Sequence, residues 1–159
     1  LTESRTRWAR WRALGAGDRR RLLALAVLLP LIDLALRSAG FVHTQRWLTR
    51  HGETRPLRAC TPQALAEAER LAQLASIAGR HGAWTNTCLR QALVVQWWLR
   101  REGLPAQLRI GAQRGEEGLQ AHAWVELEGM ALAQGEDLPP TFPLAAPTTR
   151  EATSFDVPR

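Results

Sequence analysis

The sequence predicts an α+β fold, with helices first and a small antiparallel sheet after them. Three observations carry this prediction. Apolar residues recur at three- and four-residue steps up to about residue 101, the period shortens to two from residue 106, and Gly, Pro, Asn and Thr punctuate the segments between. A chain of 159 residues with 45% hydrophobic content has enough material for one packed core with a helical appendage.

Residues 1–17 are rich in Arg and Trp and end in Gly15-Ala16-Gly17. Asp18 is placed to cap a helix over 19–38 that Gly40 closes, and Pro30 inside it predicts a kink or a split. A short helix over 42–50 follows, broken by His51-Gly52 and Pro56. Thr61-Pro62 offers a capping hydroxyl with Pro at the first helical position. From there Leu65, Ala68, Leu71, Ala72 and Ala75 share one face of a helix over 62–78, which Gly79 and Gly82 end.

Thr85-Asn86-Thr87 introduces a second helix over 88–101, apolar on most sides and therefore central and buried; Gly103 closes it. Strands are predicted over 106–112, 119–127 and 130–134, joined by turns at 115–118 and at Glu128-Gly129. From Asp137 onward the chain is rich in Pro and Thr without period, a surface tail. The resulting division is a helical region over 1–58, a core over 59–137 and a tail over 138–159.

All basic residues are Arg, and the net charge is +6. Residues 1–21 hold seven arginines against Glu3 and Asp18, a balance of +5. No zinc spacing, phosphate loop or recognition motif accompanies that charge, so no metal, cofactor or nucleic-acid partner is expected. Trp8 and Trp11 among Arg5, Arg7, Arg10 and Arg12 suit an anionic surface. The apolar run 22–36 contains Pro30 and Asp33, falls short of the roughly 20 residues that cross a bilayer, and does not read as a signal peptide. Spanning is not expected, whereas lying along a membrane surface stays open. Cys60 and Cys88 are too few for a disulfide framework, and thiols in a cytoplasmic protein are the expectation.

The chemistry centres on Cys88 and His122. Cys88 falls at the first turn of the central helix, where unpaired N–H groups and the helix dipole favour thiolate, and Arg90 adds positive charge. His122 lies mid-strand, sharing a face with Trp124 and Glu126, while Ala121, Ala123, Val125 and Leu127 form the other face. A Cys opening a buried helix, followed by a hairpin carrying His, is the arrangement of papain- and transglutaminase-like hydrolases. The remaining histidines, His43 and His51 in an Arg-rich linker and His81 in a loop, are weaker candidates.

Four blocks sharpen this into a family resemblance: Thr87-Cys88-Leu89-Arg90-Gln91-Ala92-Leu93, then Leu99-Arg100-Arg101-Glu102-Gly103-Leu104-Pro105-Ala106, then Ile110-Gly111, then Ala121-His122-Ala123-Trp124-Val125-Glu126, with Gly129 at the turn. Over residues 84–136 the chain resembles the stand-alone, transglutaminase-like leader peptidase of lasso peptide biosynthesis. The resemblance implies a cysteine protease that removes the leader from a ribosomally made precursor peptide. The freed α-amine would pass to a macrolactam-forming cyclase, and leader recognition would come from a separate small protein.

The sequence departs from that family at the third member of the triad, whose acidic residue would fall about a dozen residues past the His; Gln134 stands there. An amide can still accept from an imidazole N–H. A two-residue turn at 128–129 sets Gly135 opposite His122, and one bulged residue would bring Glu136 there instead, so Glu136 and then Asp137 are the alternatives. Glu126 lies roughly 13 Å along the strand, too far to orient the ring itself. The oxyanion hole would use the Cys88 N–H with a donor from Asn86 or Trp84. Rival readings are another amide hydrolysis or acyl transfer on the same scaffold, an inactive homologue, and a basic membrane- or nucleic-acid-binding module.

Overall fold

The computed structural model describes residues 14–81, 88–115, 118–133 and 142–143. Among the described residues are three helices, α1 (Ala16–Gly52), α2 (Pro62–His81) and α3 (Cys88–Arg101). Four strands follow, β1 (Gln107–Gly115), β2 (Gly118–Leu127), β3 (Met130–Ala131) and β4 (Phe142–Pro143), arranged in the antiparallel order β3-β2-β1-β4. The α+β expectation is met. Helix α3 sits at the centre, packed against α1, α2 and the β1–β2 hairpin.

Helix α1 differs from its prediction in three ways. It starts at Ala16 with Gly15 as cap residue and no side-chain cap. Asp18 instead lies in the first turn, where its Oδ2 accepts from Nε and Nη2 of Arg70 on α2 at 3.0 and 2.8 Å. Second, the chain turns at Gly40 (φ 75°, ψ 172°), not at Pro30, which stays within regular helix. Proline removes the hydrogen bond to the carbonyl four residues back. That carbonyl belongs to Ala26, an exposed residue, so the loss falls on the solvent side. The combination of φ and ψ at Gly40 is one that only glycine adopts readily. Third, the short helix expected over 42–50 is present and runs on through Gly52 instead of breaking at His51-Gly52, so His51 as well as His43 lies on helix; His51 Nδ1 sits 2.9 Å from the Trp47 carbonyl.

Helix α2 begins as predicted, with Thr61 Oγ1 accepting from the Ala64 N–H at 3.2 Å. Its end does not: the helix passes through a buried Gly79 to His81, while Gly82 lies outside the described residues. Ala68, Leu71, Ala72 and Ala75 form the buried stripe that the spacing predicts, joined by Leu74.

Helix α3 has the predicted bounds, and Leu93, Val94, Val95 and Leu99 are almost fully buried. Gly103 (φ 80°) ends it in a Schellman arrangement, with Gly103 N–H donating to Arg100 at 3.0 Å and Leu104 N–H to Leu99 at 2.9 Å. The turn then meets the chain before α2, where the Arg58 N–H donates to the Gly103 carbonyl at 2.8 Å.

The hairpin register pairs Gly111 with His122 and Arg109 with Trp124. Strand β3 is shorter than predicted: it ends at Ala131, and the chain turns at Leu132 and Ala133 (φ 52°). The tail also differs from a plain surface segment, since Phe142 and Pro143 pair with Ala112 and Gly111 on the free edge of β1.

Candidate functional site

Cys88, at the first residue of α3, and His122, in the middle of β2, line the same open cavity of about 110 Å³. Each element contributes for a local reason. The helix start places Cys88 among the N–H groups that have no carbonyl partner within the helix. The register sets Gly111 opposite His122, so no side chain from β1 stands across from the imidazole at that pair. Among the described residues, β3 pairs with β2 at Glu126 and Leu127, and His122, Ala123, Trp124 and Val125 of β2 line the cavity.

The far side is built from Ala72 and Ser76 of α2, and Leu132 and Ala133 of the turn after β3. The Ala133 N–H donates to both carboxylate oxygens of Glu69 on α2, at 3.1 and 2.9 Å. Glu69 thereby fixes the last described residue before Gln134. Neither Glu69, Ser76 nor Gln91 was singled out by the sequence. Gln91 lines the cavity one helical turn from Cys88, and its i+3 spacing is the signal that would have found it.

Trp124 lines the cavity as well and stacks on His122, with ring centroids 5.9 Å apart and an interplanar angle of 15°. Its indole N–H donates to Glu126 Oε1 at 3.0 Å, and Glu126 Oε2 accepts from Arg109 Nε at 2.7 Å. Glu126 is thus tied to the imidazole through Trp124, a route that its distance along the strand does not suggest. The two faces of β2 are less distinct than alternation predicts: Ala123, Val125 and Leu127 are buried, but so is Trp124, while Ala121 is exposed.

Arg90 has a different role from the one its position in sequence suggests. Two residues on from Cys88 is about 200° around a helix. Arg90 is buried and its Nη1 lies 3.0 Å from Oδ1 of Asp33 on α1, whose Oδ2 also accepts from Arg37 Nε at 2.8 Å. Its charge serves the junction between helices. Both cysteines are thiols, without a disulfide. Among the described residues no cluster of three or more His, Cys, Asp or Glu could hold a metal ion. Trp84, Asn86, Gln134, Glu136 and Asp137 all lie outside the described residues.

A helix-borne thiol and a sheet-borne imidazole line one cavity within an α+β domain, an arrangement that can support acyl chemistry at sulfur. Comparison with known families agrees: residues 28–143, from within α1 to β4, match the transglutaminase-like superfamily. The chain belongs to that superfamily, whose members include cysteine peptidases and acyltransferases. No significant match was found among curated proteins or among solved structures.

Proposed function

We propose that this protein is a cysteine peptidase that removes the leader from a ribosomally synthesised precursor peptide, in the manner of lasso peptide maturation. The observation that carries the proposal is the shared cavity of Cys88 and His122. The Cys88 thiolate attacks the carbonyl at the leader–core junction, forming a tetrahedral centre and then a thioester as the amide C–N bond breaks. His122 takes the thiol proton and delivers it to the leaving amine. Water then attacks the thioester, returning the thiol and a leader ending in a carboxylate. The core peptide leaves with a new α-amine, which a macrolactam-forming cyclase consumes.

Support for the peptide substrate comes from the sequence blocks around Cys88 and His122 and from the cavity's form. An open cavity suits an extended peptide crossing its mouth. Gln134 follows directly on the anchored turn at Ala133 and is the first candidate to orient the imidazole, ahead of Glu136 and Asp137. A separate leader-binding protein supplies recognition in this reading, and the reaction takes place in the cytoplasm.

The test is cleavage of a precursor peptide with its leader-binding protein present, followed by mass spectrometry. Cys88→Ala and His122→Ala are expected to abolish cleavage, a loss of at least about 10³-fold, with the fold unchanged. Full cleavage by Cys88→Ala would overturn the assignment. Transfer of the acyl group to an added amine in preference to water would assign the same site to an acyltransferase.

A further inference from the structure

Helix α1 is apolar on two opposite faces. Leu22, Leu25, Leu29 and Ile32 are buried in the core. On the other side Leu23, Val27, Leu31 and Leu34 are 59%, 61%, 54% and 64% exposed. Their steps of four, four and three place them within an arc of about 80°, in a stripe roughly 17 Å long. A helix that is apolar all round is normally covered all round. Here the described residues cover one side.

The charge around the stripe indicates what covers the other. Arg20 precedes it and Arg37 follows it, both exposed, and past the corner Arg46 and Arg50 are exposed too. The two carboxylates of α1 are both turned to the protein, Asp18 to Arg70 and Asp33 to Arg90 and Arg37. The outward face therefore presents apolar side chains and guanidinium groups without a carboxylate. A second copy would bring arginine against arginine. By length and composition α1 could cross a bilayer, but crossing would pull Asp33 from Arg90 and strip the core of its buried leucines. An anionic interface that accepts apolar side chains to a shallow depth fits every part of the pattern.

We propose that the outward face of α1 docks the protein on an anionic phospholipid surface, with Leu23, Val27, Leu31 and Leu34 entering the acyl boundary and the flanking arginines meeting phosphate groups. The proposal is independent of the chemistry at Cys88. The test is co-sedimentation of the full chain with phosphatidylcholine vesicles containing 30% phosphatidylglycerol, and with phosphatidylcholine alone. Binding is expected to the first and to fall at least tenfold on the second, or at 0.5 M salt. Leu31→Gln and Val27→Gln, at exposed positions, are expected to weaken partitioning roughly tenfold each with helicity and Tm unchanged, and a double Arg20→Gln, Arg37→Gln variant to lose the preference for anionic lipid. Absence of binding, or equal binding by Leu31→Gln, would overturn the proposal. So would a dimer that Leu31→Gln dissociates, or attachment to neutral vesicles that resists alkaline carbonate, which would mark a spanning helix.

Discussion

Cys60 lies just before α2, its S–H donating to the Thr61 carbonyl at 3.9 Å. Burial pushes its thiol up from the ordinary value of 9.0, the negative charge of Glu128 adds to the rise, and Arg58 opposes it. At neutral pH Cys60 is accordingly held as thiol, and only the thiolate attacks an electrophile. Iodoacetamide at pH 7 is expected to label Cys88 well before Cys60, with Cys60 labelling rising steeply only above pH 9; peptide mass spectrometry resolves the two sites. Equal rates at pH 7 would indicate an inactive homologue. The contacts around His122 make a second prediction at this scale. Trp124→Phe keeps a ring against the imidazole but loses the N–H that ties it to Glu126, so kcat for leader cleavage should fall roughly tenfold with KM nearly unchanged. Glu126→Gln, which still accepts from the indole, should retain more activity than Glu126→Ala. Cys88, His122 and Trp124 were legible in the sequence because a nucleophile at a helix start and a His-x-Trp strand are local patterns. The coupling of Glu126 was not, because it runs through a side chain and not along the backbone.

At the scale of elements, two glycines set the ends that matter. A Cβ on Gly103 would lie 2.6 Å from the Pro56 carbonyl oxygen, and φ of 80° is itself unfavourable for any other residue. Gly103→Ala is therefore expected to cost at least about 2 kcal/mol, read as a lowered urea midpoint with unchanged slope. A Cβ on Gly40 meets nothing within 4 Å, so Gly40→Ala carries the backbone strain alone and should cost less. Both positions explain what the sequence could tell. Thr61, Gly103 and the Glu128-Gly129 turn announce their elements through capping and turn chemistry that depends only on near neighbours. Pro30 announced a kink that does not occur, because the helix can leave one carbonyl to solvent. The early end of β3 was hidden because it is fixed by Glu69, which is 64 residues away in sequence from the Ala133 N–H it accepts from.

At the scale of the whole molecule, composition divides a helical region over 1–58 from a core over 59–137, and the contacts of α1 join the two in one buried cluster. Leu22, Leu25, Leu29, Ile32 and Leu48 belong to the same buried cluster as Leu71, Leu93 and Leu127. At roughly 1.5–3 kcal/mol per buried aliphatic side chain, those five residues represent about 10 kcal/mol of burial, as much as the whole net stability of a typical domain. A fragment starting at residue 59 is thus expected to be unfolded, by circular dichroism and by loss of dispersed methyl signals. The junction itself is held by Asp33 and Arg90, whose side chains are only 11% and 5% exposed. Removing one partner leaves the other charged in a low-dielectric site, so Asp33→Leu is expected to cost about 3–5 kcal/mol. Replacing both, as Asp33→Leu with Arg90→Met, should restore most of that loss, because two matched apolar side chains incur no desolvation penalty. Thermal unfolding of the four species in a double-mutant cycle measures the coupling. A coupling near zero would mean that α1 is held by its leucines alone, and that the ion pair only fixes the register in which they meet the helix bearing Cys88.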